Sequence, residues 1–125
     1  MRLLLDTHAL LWWLADDSRL KPEAREQIAH PSNLVHVSAA TVWEVGIKQQ
    51  LGKLKAPEHL VDIIQEEGFE TLAITAAHAH EAARLPMHHR DPFGRMLIAQ
   101  ARMEGLELMT HDEVIQAYEA DVLPL

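Results

Sequence analysis

Residues 2–7, Arg2-Leu3-Leu4-Leu5-Asp6-Thr7, hold the reading on which the fold turns. An apolar run this short and this continuous is the pattern of a strand covered on both faces. The strand candidate, Arg2 to Asp6, ends on a carboxylate, and Thr7 to Ala15 follows as a helix. Outward from this unit the alternation repeats. Pro22 suits a helix's first turn, so Lys21 to Ala29 reads as a polar helix. Leu34 to Val37 is a second strand, and Ser38 is a good N-cap for a helix from Ala39 to about Gln50, closed by Gly52. Pro57 opens a helix through Glu67, with Gly68 as its stop; Phe69 to Ile74 is a third strand, and Thr75 caps a helix to Leu85. Asp91 and Pro92 pair an N-cap with a first-turn proline for a helix ending near Gly105. Leu106 to Met109 is a fourth strand, Asp112 opens a short last helix, and Val122 to Leu125 is the candidate fifth strand. Strands alternating with helices predict an α/β fold, a parallel sheet of four to five strands flanked by helices.

The 125 residues predict one domain, spanning 1–125, with an ordinary globular balance of 48% hydrophobic and 24% charged residues. The absence of cysteine excludes disulfides, thiolate metal sites and cysteine nucleophiles. The longest apolar run near the start, Ala9 to Ala15, is too short to span a membrane, and Asp6 and His8 spoil it as a signal peptide. A cytoplasmic protein is expected. The net charge of −8 excludes a generally basic, nucleic-acid-coating surface. It does not exclude a nuclease, whose carboxylates hold a cation that meets the phosphate. It also favours a basic partner segment.

Four acids stand where an ordinary soluble domain has little reason to place them: Asp6, Glu44, Asp91 and Asp112. In a parallel sheet, ligands gather at the carboxyl ends of the strands. Asp6 ends the first strand, Asp112 lies just beyond the fourth, and Ser38 ends the second and starts the helix that carries Glu44. Residues 39 to 47 contain no other charge, so Glu44 projects from a mostly apolar turn, and a buried carboxylate is costly unless paired or metal-bound. Each acid also has a plain structural reading. Asp6, Asp91 and Asp112 suit helix N-caps, and Glu44 can pair with Lys48 at i,i+4. Taken together, the four predict a site whose hard oxygen ligands select Mg2+ or Mn2+. The carboxylates of Asp6, Glu44 and Asp112 are expected within ~10 Å of one another.

The nine histidines do not form a zinc motif: His78 and His80 are two apart, His88-His89 falls in a loop, and no HExxH spacing occurs. His88, His89, Arg90 and Arg95 flank Asp91, and Lys48 lies one turn past Glu44; these are candidates for phosphate contacts or a solvated basic patch. Trp12, Trp13 and Trp43 sit in apolar helical patterns that suit a core or a subunit interface better than base stacking. No Gly-rich phosphate loop and no GxSxG elbow is present.

Four stretches resemble motifs of PIN-domain proteins of the VapC toxin type. They are Met1 to Trp12; Ser38-Ala39-Ala40-Thr41-Val42-Trp43-Glu44-Val45-Gly46-Ile47-Lys48 with Leu51-Gly52-Lys53-Leu54 after it; His89 to Ala101; and Leu108-Met109-Thr110-His111-Asp112. The likeness spans nearly the whole chain in the right order, and its strength lies in the four together. It implies a PIN-like three-layer sandwich and a metal-dependent endoribonuclease, the toxin of a toxin–antitoxin pair. Asp6, Glu44 and Asp112 fall on the family's acidic positions. The third motif departs: the family commonly reads Asp-Pro-Phe-Asp-Arg, and Gly94 stands at the second acid. Asp91, three residues earlier, is the remaining candidate for that charge. The alternative is a binding or regulatory PIN domain whose catalysis is weakened or lost.

On the resemblance, Asp6, Glu44, Asp91 and Asp112 hold one or two Mg2+ or Mn2+ ions, and water attacks single-stranded RNA to leave a 5′-phosphate and a 3′-hydroxyl. Thr7 and Thr110 are candidates to hold the acids in place. The expected partners are RNA, a small antitoxin whose apolar helix fills a groove over the cleft, and a second copy of the chain in a homodimer. Trp12, Trp13 and Leu11 offer apolar surface for these contacts. A haloacid-dehalogenase-type phosphatase also opens with strand and Asp, but expects a second Asp where His8 stands.

Overall fold

The three leucines of the opening run go to two different faces of the sheet, as a strand's alternation requires. A computed structural model describes residues 1–86, 91–110 and 122–124. Among them lie β1 (Arg2–Leu5), α1 (Thr7–Leu14), α2 (Pro22–Ala29), β2 (Leu34–Ser38), α3 (Ala39–Gln50), α4 (Leu60–Glu66), β3 (Glu70–Leu72), α5 (Ala76–Arg84), α6 (Pro92–Glu104), β4 (Glu107–Thr110) and β5 (Val122–Pro124). Leu3 and Leu5 join Val35, Val37 and Met109 in a core that includes Leu10 of α1, Ala24 and Ile28 of α2, and Ile64 of α4. Leu4 joins Leu108 in a second core with Leu97, Ile98 and Ala101 of α6 and Leu85. Two apolar layers on opposite faces of one sheet make the three-layer α/β sandwich expected from the sequence.

The sheet has five strands in the order β3-β2-β1-β4-β5, and every pairing is parallel. The chain therefore winds outward from β1 to β2 and β3, then crosses to the other side of β1 for β4 and β5. That reversal opens a crevice at the carboxyl ends of β1 and β4, the usual ligand position in such sheets. Asp6 follows β1 directly, and Thr110 closes β4.

Two expected elements differ. The fourth helix begins at Leu60, not Pro57. Ala56 has no side-chain acceptor to cap a helix at Pro57, and the chain instead enters through His59 in the left-handed region, at φ 58°. The third strand spans Glu70–Leu72 only, because its partner β2 ends at Ser38, which pairs with Leu72. The last helix expected from Asp112 lies outside the described residues. No helix among the described residues is long and apolar enough to cross a membrane.

Candidate metal and nuclease site

Asp6 takes extended geometry at the junction of β1 and α1, and its Oδ1 accepts the Ala9 backbone N–H at 2.7 Å. It is thus the helix cap that its sequence position suggested. A carboxylate there also meets the positive end of the helix dipole. Its second oxygen, Oδ2, accepts the Thr110 hydroxyl at 2.7 Å, and its backbone N–H donates to the Met109 carbonyl. One residue therefore joins β1, α1 and β4 while only 6% exposed.

Glu44 is brought to the same place from a different element. Ser38 caps α3 by accepting the Ala40 N–H, and the buried face of that helix carries Ala40, Thr41, Glu44 and Val45. Glu44 is 6% exposed. Its Oε1 accepts the Thr7 hydroxyl at 2.5 Å, and its Oε2 accepts from the Lys48 ammonium at 2.5 Å. The i,i+4 pair with Lys48 is thus real, and so is the convergence on Asp6, since Thr7 is the next residue along. Thr7 and Thr110 hold Glu44 and Asp6 respectively, the supporting roles their positions suggested. Two hydrogen bonds use about half of a carboxylate's acceptor capacity, so Glu44 can still bind a cation.

Asp91 caps α6, accepting the Phe93 N–H at 3.0 Å. Gly94 lies buried in the first turn of that helix. Asp112 lies outside the described residues. Among the described residues no three histidines and carboxylates gather closely enough to hold a metal ion. Of the acids singled out in the sequence, the described structure joins Asp6 and Glu44 through Thr7. Two buried carboxylates, with no thiol in the sequence, form a donor set that suits a hard divalent cation.

Arg95 does not reach for a phosphate. Its guanidinium donates to the carbonyls of Ala82 and Leu85 at 2.9 Å, Pro86 at 3.2 Å and Ala83 at 3.4 Å. These are carbonyls at the end of α5 and just beyond it, which have no further helical N–H to bond. The motif arginine is therefore a structural tie between α5 and α6. His88, His89 and Arg90 lie outside the described residues. The described buried histidines are also structural: His36 Nδ1 meets the Leu3 carbonyl, and His78 meets Glu104 at 2.8 Å.

The sequence reading missed Gln100. It is fully buried in α6, where its Oε1 accepts the Ser38 hydroxyl at 2.6 Å and its amide donates to the Ala73 carbonyl. A lone amide in the run Met96 to Ala101 was the available signal. Thr41 was missed as well: its hydroxyl is buried, one turn before Glu44, with no hydrogen-bond partner. Trp12 and Trp13 are half-buried against the first core, as expected, with Trp13 Nε1 donating to Glu67 at 3.3 Å. Trp43 is not core; it is 64% exposed.

A family model of the PIN domain matches residues 3–121. This chain belongs to the PIN-domain family. A relative of this PIN domain, ribonuclease VapC22 of Mycobacterium tuberculosis, is 29% identical over 118 residues, covering 92% of this chain and 90% of the relative. Among solved structures, VapBC2 from Rickettsia felis, bound to a promoter DNA fragment, superposes at a TM-score of 0.74 with 13% identity, over 100% of this chain and 99% of that one. A toxin–antitoxin complex from Klebsiella pneumoniae follows at 0.67 with 22% identity, over 97% and 95% of the two chains. At these identities the superpositions establish the PIN fold, with Asp6 and Glu44 at its switch-point crevice.

Proposed function

We propose that this PIN-domain chain is a ribonuclease toxin of the VapC type, the nuclease half of a toxin–antitoxin pair, and that it cleaves RNA at the Asp6–Glu44 crevice. The observation that carries the site assignment is the pair of buried carboxylates tied together by Thr7 where the strand order reverses. The 29% identity to a ribonuclease and the structural neighbours in toxin–antitoxin complexes support the activity and the partner.

The residues act as follows. The buried Asp6 and Glu44 concentrate negative charge at the crevice and would hold a divalent cation there, with Asp91 and Asp112 proposed as the further acids of the set. A bound Mg2+ or Mn2+ supplies charge neutralisation at the scissile phosphate and a lowered pKa for the attacking water. Thr7 and Thr110 fix the two carboxylate rotamers, so their oxygens are oriented before substrate arrives. Lys48 balances one charge at the mouth of the cleft. In the reaction, the water oxygen bonds to phosphorus, the P–O3′ bond breaks, and the released oxygen takes a proton to leave a 3′-hydroxyl beside a 5′-phosphate. A small antitoxin covering the cleft, a homodimeric assembly and a cytoplasmic setting complete the proposal.

The second reading is a PIN domain that binds its antitoxin without catalysis. The buried Gly94, where the motif commonly carries an acid, favours it. The test is incubation of the purified protein with a mixed RNA pool and either Mg2+ or Mn2+. Cleavage that stops with EDTA supports the nuclease; intact RNA under every metal condition supports the binding domain.

A further inference from the structure

Trp43 immediately precedes Glu44 on α3, and Phe93 is two residues past Asp91 on α6. Their rings meet edge to face, with centroids 5.5 Å apart and planes at 79°. That contact holds the indole in place and still leaves Trp43 64% exposed, more than any other large apolar side chain described. An indole this exposed, one residue before Glu44 and in contact with Phe93, has no role in the core.

Among the described residues, two cations near those acids in sequence are engaged within the fold. Lys48 pairs with Glu44, and Arg95 ties the end of α5. Farther away, Arg19 and Arg25 pair with Asp17 and Asp16. With a net charge of −8, the chain gains little from counterion release when it meets RNA. Stacking of bases on aromatic rings adds affinity for a single strand that does not depend on charge.

We propose that the Trp43–Phe93 pair is a stacking platform for an unpaired base of the RNA substrate, next to the scissile phosphate. The inference rests on the ribonuclease reading above and adds the subsite. It also accounts for a preference for single strands, because a paired base offers no free face for the indole to stack on.

The experiment uses Asp6→Asn protein, which binds without turnover, and a fluorescein-labelled single-stranded RNA read by anisotropy in Mg2+. Adding Trp43→Ala should weaken binding about 10-fold, the change produced by roughly 1.4 kcal/mol of lost stacking. Trp43→Phe should stay close to the parent. The slope of affinity against salt should be the same in all three, since stacking releases no counterions. Unchanged RNA affinity in Trp43→Ala overturns the platform. If that variant also shifts from dimer to monomer, the aromatic surface belongs to a second copy of the chain. Wild-type cleavage with an unaltered KM in Trp43→Ala overturns the platform while leaving the nuclease intact. A parent that binds no single-stranded RNA overturns the platform, and RNA left intact by the wild type under every metal condition overturns the ribonuclease reading on which it rests.

Discussion

Thr7 donates its hydroxyl hydrogen to Glu44 over 2.5 Å, although 37 residues separate them along the chain. The bond joins the first turn of α1, one residue after Asp6, to the middle of α3. It links the carboxylates of the two motifs within the crevice that the sheet forms.

Thr7→Val keeps the shape but removes the donor from a buried carboxylate. Removing one partner of a buried charge-assisted bond costs about 1.5–3 kcal/mol. The variant should lose about that much in chemical denaturation, and RNA cleavage should fall at least about 10-fold as Glu44 loses its orientation. Thr7→Ser should retain most of both. Full activity in Thr7→Val would show that Glu44 does not depend on this bond.

Arg95 makes the opposite prediction, for stability without chemistry. Arg95→Ala leaves carbonyls at the end of α5 without a donor and should destabilise by about 2–3 kcal/mol. Arg95→Lys should recover only part, because an ammonium cannot match a planar fork. Single-stranded RNA affinity should stay within about 2-fold of the parent in either variant, well short of a lost phosphate contact. Lost affinity at unchanged stability would return Arg95 to the phosphate role.

Gly94→Asp adds an acid in the first turn of α6, where the helix dipole favours a negative charge by about 0.3–1 kcal/mol. The Mn2+ concentration giving half-maximal cleavage should fall and toxicity on expression should rise, since one more anion offsets the dehydration of the ion. A titration that moves neither would place position 94 outside the metal site.

Arg19 donates through its backbone and side chain to Asp17, and the side-chain hydrogen bonds pull the Asp17 carboxyl down from 3.8 to about 2. A folded-state value below the unfolded one contributes stability that is fully present above about pH 4 and is lost as pH falls through about 2. Asp17 should therefore titrate near 2 by carbon-detected NMR in the parent and return towards 3.8 in Arg19→Ala. The same arginine lies 5.1 Å over the Trp12 ring, so this exposed pair also braces α1.

Most of the architecture was legible because the signals are local. Continuous apolar runs announced strands buried on both faces, and Ser38, Thr75, Asp91 and Gly105 all mark helix ends in the structure. The start of α4 was not legible, because a left-handed His59 is a poor guess for any non-glycine residue. In the site, Asp6 and Glu44 stood out as charges in apolar surroundings. The structural readings of these acids hold: Asp6 caps α1, Asp91 caps α6, and Glu44 pairs with Lys48. One carboxylate can cap or pair with one oxygen and accept elsewhere with the other, so the alternatives were never exclusive. The tie of Arg95 to α5 was invisible because it depends on how two helices pack.

The central claim is that Asp6 and Glu44 act as one site, and a double-mutant cycle tests it most directly. Cleavage rates of Asp6→Asn, Glu44→Gln and the double variant should be measured in saturating Mn2+, with circular dichroism confirming the fold. Groups that act as a unit are strongly non-additive, so each single substitution should already remove nearly all activity, and the double variant should be no slower than the worse single. Rate losses that multiply, or cleavage that survives both substitutions, would contradict the account.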